Sequence, residues 1–316
     1  MVYIADGDHR IVPSVHLNKC ITQCYHGHMK LKWLLVGMIS TLAWGHPLVS
    51  IDIQNKTPIQ GDAVWIKIKS SKVISSGTIT LNKKNFTLFK NNNSASDYLS
   101  CIGVSRFSKA KKTKLRFSFS FTDGSQYKTS LPITIRSANF KKEHITLKPK
   151  KYKISQDNTS KKNEGRLIGK AFKTITRSKA FNDAFLWPLD GRISSTFGKQ
   201  RVYNNTPGWS HSGTDIAAKE GAPIKATQSG TVVLSESLRV HGNTVMINHG
   251  WGIVSVYNHL HQLNVKMNDK VTKGDMIGTV GSTGIATGPH LHFGISVQSV
   301  RVNPETWVNK TSIPHF

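Results

Sequence analysis

Between Val49 and Ile135 apolar and polar residues alternate in short runs separated by Gly, Asn and Ser. The clearest runs are Ala63-Val64-Trp65-Ile66-Lys67-Ile68-Lys69, Thr78-Ile79-Thr80-Leu81 and Lys114-Leu115-Arg116-Phe117-Ser118-Phe119-Ser120-Phe121. A period of two buries one face of a strand and leaves the other in water, so 46–140 is expected to be a small β-sandwich-like domain. The alternation then stops. From Lys141 to about Lys179 the chain is basic, with Lys148-Pro149-Lys150-Lys151 and Lys161-Lys162-Asn163-Glu164-Gly165, and 141–185 reads as a linker with some helix near Gly165–Ala184. Short strands return after Leu186: Gly230-Thr231-Val232-Val233-Leu234, Asn243-Thr244-Val245-Met246-Ile247-Asn248, Gly252-Ile253-Val254-Ser255-Val256-Tyr257 and Leu291-His292-Phe293-Gly294-Ile295. The expected fold class is therefore all-β, a sandwich-like domain followed by an antiparallel, barrel-like sheet over 186–316.

The 316 residues exceed what one core usually organises, which agrees with two domains. Ahead of them, Met29-Lys30-Leu31-Lys32 opens an apolar run that ends in Ala43-Trp44-Gly45, a small-x-small pattern. That run is shorter than the roughly 20 residues a membrane span needs. Residues 29–45 are accordingly expected to be a secretory signal cleaved after Gly45, with 1–28 a mis-assigned upstream extension and Met29 the initiator. The extension holds His9, His16, His26, His28, Cys20 and Cys24. Its Cys-x-x-x-Cys spacing has no matching second ligand pair, so it is not expected to bind metal. Cleavage would leave Cys101 as the one cysteine, which reads as a small buried apolar residue rather than a nucleophile.

The formal net charge of +26, from 43 Lys plus Arg against 17 Asp plus Glu, calls for an anionic partner. No recognition-helix pattern or aromatic platform accompanies it, so nucleic acid is not the expected partner. Charge by itself does not choose between an acidic membrane and an acidic polymer such as a cell wall; together with export it suits peptidoglycan, an anionic wall. The expected location is the periplasm or cell envelope, with membrane contact only through the signal peptide.

Three fragments carry candidate chemistry: His211-Ser212-Gly213-Thr214-Asp215, Tyr257-Asn258-His259-Leu260 and Gly288-Pro289-His290-Leu291-His292-Phe293. In extended chain, residues an even number apart share a face, so His211 and Asp215 can point one way, as can His290 and His292. Gly213 leaves room for the backbone beside such a cluster. Two imidazoles and a carboxylate make a catalytic zinc set with the fourth position left for water. No His-Glu-x-x-His helix occurs, so a histidine rather than a glutamate is the expected base.

These fragments, in this order, resemble the lysostaphin-type (LytM-domain) zinc endopeptidases, whose motifs are His-x-x-x-Asp, Tyr-x-His-Leu and His-x-His. The likeness covers roughly 186–308 and extends to Ser194-Ser195-Thr196-Phe197-Gly198, Asn248-His249-Gly250, Gly281-Ser282-Thr283-Gly284 and Asn303-Pro304. The resemblance implies Zn2+ held by His211, Asp215 and His292, with His259 and His290 as the unliganded catalytic pair; which of the two is the base stays open. Members usually carry Ala where Asn258 stands. Tyr203 either steadies the oxyanion or packs, and Trp209 and Trp251 either line a groove or pack. His241, His249 and His261 read as turn or surface residues. The function implied is a secreted zinc metalloendopeptidase acting on peptide cross-links or stems of peptidoglycan, with D-alanyl-diaminopimelate bonds favoured by the extra β-domain. The alternative is a LytM-type non-catalytic regulator that activates a wall amidase; such members lack zinc ligands, and this chain has them. A lipoyl- or biotin-carrier-like module lacks its modified Lys hairpin here.

Overall fold

Lys112–Phe121 shows how this chain makes its sheets: Leu115, Phe117, Phe119 and Phe121 are buried while Lys112, Lys114, Arg116 and Ser118 face solvent. Each large side chain buried in this way contributes about 1.5–3 kcal/mol, and that term fixes which face turns inward. The computed structural model describes residues 48–308 except 92, 93 and 95; the expected signal segment and upstream extension lie outside the described residues.

The first eight strands are β1 (Val49–Ile53), β2 (Ala63–Ser70), β3 (Ile74–Leu81), β4 (Lys84–Thr87), β5 (Phe89–Lys90), β6 (Asp97–Gly103), β7 (Lys112–Phe121) and β8 (Gln126–Thr134). They form two four-stranded sheets, β1-β2-β6-β5 and β4-β3-β7-β8. Ile66 and Ile68 from one sheet meet Ile79, Leu115 and Phe117 from the other in a shared core, the sandwich that the alternation predicts.

The basic stretch after it carries β9 (Lys142–Ile145), α1 (Pro149–Ser155) and α2 (Asn158–Phe172). Asp157 caps α2 by accepting from Ser160 N, and Ile168, Ala171 and Phe172 form its buried stripe. The remaining strands are β10 (Arg192–Ser195), β11 (Gln200–Tyr203), β12 (Thr206–Ser210), β13 (Thr214–Ala217), β14 (Pro223–Lys225), β15 (Gly230–Leu238), β16 (Gly242–Gly250), β17 (Ile253–Leu263), β18 (Lys270–Val271), β19 (Met276–Val280), β20 (His290–Val297) and β21 (Val300–Val302). Ten of them make one antiparallel sheet with the central order β10-β13-β20-β17-β16-β15-β18. In a separate three-stranded sheet, β9 pairs parallel with β11.

The stripe of α2 packs on Leu234, Leu238, Met246, Val254 and Val256, covering part of one face of the large sheet. The opposite core takes in Trp65, Phe89, Leu99 and Cys101 from the sandwich together with Phe181, Phe185, Trp251 and Trp307. Phe89 stacks on Trp251 at 5.4 Å, and Trp65 lies 6.2–6.5 Å from Phe181, Trp251 and Trp307. Trp251 is thus a core residue, and Cys101 is the buried free thiol expected, its pKa raised by burial. His249 departs from expectation. It is fully buried, with Nδ1 2.7 Å from the Ser229 carbonyl and Nε2 2.8 Å from Ser255 Oγ, and burial presses its pKa down to about 4. Two fixed partners satisfy both ring nitrogens, which is why a histidine can sit there uncharged.

Candidate active site

Strand register assembles the site. Asp215 on β13 lies directly opposite His292 on β20, and His292 lies opposite Asn258 on β17. Opposed residues share a face, so the three side chains form a row across three strands. His211 sits just before β13, on the bend that follows β12, and its backbone is pinned by hydrogen bonds with Gly198 and Lys199. Gly213 makes the approach feasible: a Cβ there would stand 2.2 Å from the Phe293 carbonyl and 2.9 Å from His292 Nε2.

His259 reaches the same face by a different device. Between β16 and β17 the register shifts, Asn243 facing Leu260 while Val245 faces Tyr257, so Asn258 and His259 together oppose Thr244. His259 takes a left-handed φ of 66°. The extra residue turns two successive side chains towards one cleft, a bulge re-aiming a histidine at some backbone cost. Asn258 is held there by Thr244 Oγ1 at 3.2 Å. The period-two argument cannot foresee this arrangement.

His211 Nε2, Asp215 Oδ1 and His292 Nδ1 converge, with separations of 2.8, 2.9 and 3.0 Å, and all three residues are buried. His211 Nδ1 donates to the Thr196 carbonyl at 2.8 Å, which leaves Nε2 with its lone pair turned into the cluster. Burial lowers the His292 pKa to about 3, keeping it neutral. Burial alone would raise Asp215, but the adjoining His211 and His292 hold it well below the carboxylate range. Two imidazoles and a carboxylate around one point fit a divalent cation bound at about 2.0–2.2 Å. Among the described residues this is the group placed to hold a metal.

His259 and His290 stand beside it with ring centres 4.9 Å apart, and His290 Nε2 is 3.9 Å from Asp215 Oδ1. Each donates Nδ1–H to a backbone carbonyl at 2.8 Å, His259 to Thr283 and His290 to Gly288, so each offers Nε2 as a base. Burial, then the neighbouring His290 and His292, keeps the His259 pKa well below its ordinary value.

Two charged residues were not singled out from the sequence. Arg201 on β11 binds the other Asp215 oxygen, Oδ2, through Nη2 and reaches Glu143 of β9 through Nε at 3.2 Å. Glu143 also accepts from Lys199 Nζ at 2.7 Å and Ser195 Oγ at 2.8 Å. Burial opposes the Arg201 charge, and Asp215, with Tyr203 and Glu143, more than offsets that. No motif flags Glu143, because it lies in the basic stretch outside the resemblance. Tyr203 and Trp209 line the cleft, as does His241. Trp209 is 46% exposed, stacks over His241 at 6.0 Å and carries Lys161 Nζ 5.0 Å from its ring centre.

Residues 209–304 match the model of peptidase family M23. A stretch of 131 residues is 40% identical to the peptidoglycan DD-endopeptidase ShyC of Vibrio cholerae, covering 40% of this chain and 30% of that protein. Over 114 residues it is 40% identical to the DD-carboxypeptidase/endopeptidase Mpg of Neisseria meningitidis, covering 36% of this chain and 26% of the relative. The chain thus spans less than a third of the length of these relatives. A crystal structure of an M23 peptidase candidate from Pseudomonas aeruginosa shares the fold, with a TM-score of 0.59 at 24% identity over 79% of this chain and 94% of the other. Motifs, strand register and family match agree that residues 209–304 of this chain are similar to the LytM-type domain of peptidase family M23.

Proposed function

We propose that the protein is an exported zinc metalloendopeptidase that hydrolyses peptide cross-links or stem peptides of peptidoglycan. The observation that carries this reading is the arrangement of five side chains: three donors converging on one point, and two further imidazoles held by backbone carbonyls with Nε2 free beside it. His211, Asp215 and His292 would hold the ion; zinc there supplies Lewis acidity, acidifying a water and polarising the scissile carbonyl. The remaining work falls to the chain. One of His259 and His290 takes the proton of the attacking water at Nε2, and the other hydrogen-bonds the developing oxyanion. Carbonyl anchoring at Nδ1 turns the Nε2 lone pair of the base to the water, while the ring facing the oxyanion must also carry a proton on Nε2, as an imidazolium, to donate to it. The proton then passes to the departing amine.

The relatives named as peptidoglycan endopeptidases support the substrate class, and the word DD in their names favours D-alanyl bonds. The net charge of +26 suits an anionic wall polymer. The test is digestion of isolated wall sacculi by the purified mature chain, with and without chelator, and mass spectrometry of what is released. Chelator-sensitive peptides bearing new amino termini are expected. Absence of cleavage in the presence of zinc, together with undiminished amidase activation by His211→Ala, would replace this reading by the regulator.

A further inference from the structure

Arg301 and Arg106 are not used by the chemistry above, and both are conspicuously unpaired. Arg301 is on β21 opposite Ser296 of β20, so it shares the face that carries His292, Gly294 and Ser296. Its Nη1 hangs over Gly294, 3.8 Å from where a Cβ would stand, only two residues along the strand from His292. That nitrogen is shut off from solvent and has no hydrogen-bond partner. The guanidinium is held by the ring of Phe172 from α2, 3.7 Å from Cζ to the ring centre. Arg106, from the loop between β6 and β7, is held in the same manner between Phe107 and Phe140 at 4.8 and 4.9 Å, and its Nε and Nη1 are likewise buried without partners.

The two arginines line one cleft together with Trp209, Ser210 and Ser212. Trp209, Ser210, Ser212 and Arg301 also line the cleft containing His211, His259 and His292, so the two adjoin. No Asp or Glu is among the residues lining either cleft. Guanidinium nitrogens buried without an acceptor are costly, in the half-buried Arg106 as in Arg301, and burial lowers the pKa of both groups. An aromatic ring lies against each guanidinium while in-plane N–H groups are left without an acceptor, and two parallel bonds from such a fork are how a guanidinium grips a carboxylate.

We infer that Arg301 and Arg106 form a carboxylate-binding subsite that seats an acidic group of the peptide substrate to one side of the scissile bond. The sandwich domain thereby contributes to recognition through Arg106, and Arg301 positions substrate without touching the reacting atoms. The inference rests on the peptidase reading.

Its test uses the zinc-loaded chain and a synthetic D-alanyl wall peptide in two forms, one with free carboxylates and one with them amidated. Wild type is expected to favour the acid form in kcat/KM by about 10–100-fold, chiefly through KM, the range that hydrogen bonds to charged groups give. Arg301→Gln and Arg106→Gln should each remove most of that preference while turnover of the amidated peptide changes little. Equal turnover of both forms by wild type overturns the subsite without needing any variant to fold. So does an undiminished preference in Arg301→Gln or Arg106→Gln. If wild type cuts neither form, the peptidase reading fails; calorimetric binding of the two peptides then reads the subsite alone, and equal affinities overturn it.

Discussion

At the scale of single residues, what matters is which oxygen and which nitrogen each side chain turns to the cluster. Asp215 has one oxygen on the two histidines and the other on Arg201. That division orients the carboxylate and leaves Oδ1 as the donor to a metal. Arg201→Gln is expected to keep the fold and to weaken zinc affinity about 10–100-fold, the usual range for losing an outer partner of a ligand. A competition titration against a chromogenic chelator measures it, and unchanged affinity would remove Arg201 from the account. That His211, Asp215, His292, His259 and His290 gather in one place was legible in the sequence, through the three motifs that carry the family resemblance. Arg201 and Glu143 were not, since their roles come from two strands, β9 and β11, whose pairing no local pattern announces. His249 was misread as a turn or surface residue for a related reason: its burial is set by the Ser229 and Ser255 partners across neighbouring strands.

At the scale of elements, α2 is fastened to the sheet by one buried carboxylate. Glu164 accepts from Val240 N at 2.8 Å, His241 N at 3.1 Å and His241 Nδ1 at 2.7 Å, tying the helix to the turn between β15 and β16. Burial would raise its pKa, but these hydrogen bonds hold it below the ordinary value. A depressed carboxylate contributes stability that is fully present above its unfolded pKa, about 4.3, and is lost as pH falls through the lower folded value. Wild type should therefore melt several degrees above Glu164→Gln near neutral pH, with the gap closing in acid. Thermal melts of both proteins across pH 7 to 3 check this, and a gap independent of pH would contradict it. The sequence placed helix in this region but began it near Gly165, whereas α2 starts at Asn158 under the Asp157 cap. The alternating strands were easy to place because one apolar face repeats in each; the bulge at Asn258 and His259 was not, because two successive residues break that period only in register with β16.

At the scale of the molecule, the sandwich and the peptidase strands share apolar packing centred on Trp65, Phe89, Trp251 and Trp307. Trp65→Ala is expected to cost about 3–5 kcal/mol, and to lower the unfolding midpoint of the peptidase strands as well as that of the sandwich. Urea melts followed by far-ultraviolet circular dichroism and by loss of zinc should shift together; a shift in the sandwich signal alone would show the two fold independently. The all-β class was visible in the alternation, but this shared core was not, since a buried Trp in one segment does not name its partner in another. The central claim is that three residues hold the metal while two others divide proton transfer and oxyanion stabilisation between them. It is tested most directly by measuring zinc content and wall-peptide release on the same preparations of wild type, Asp215→Ala, His259→Gln and His290→Gln. The account predicts about one zinc per chain in wild type and in both histidine variants, with release in those variants down about 10²–10⁴-fold, and loss of both zinc and release in Asp215→Ala. Full zinc in Asp215→Ala, or wild-type release by His259→Gln and His290→Gln, would contradict it.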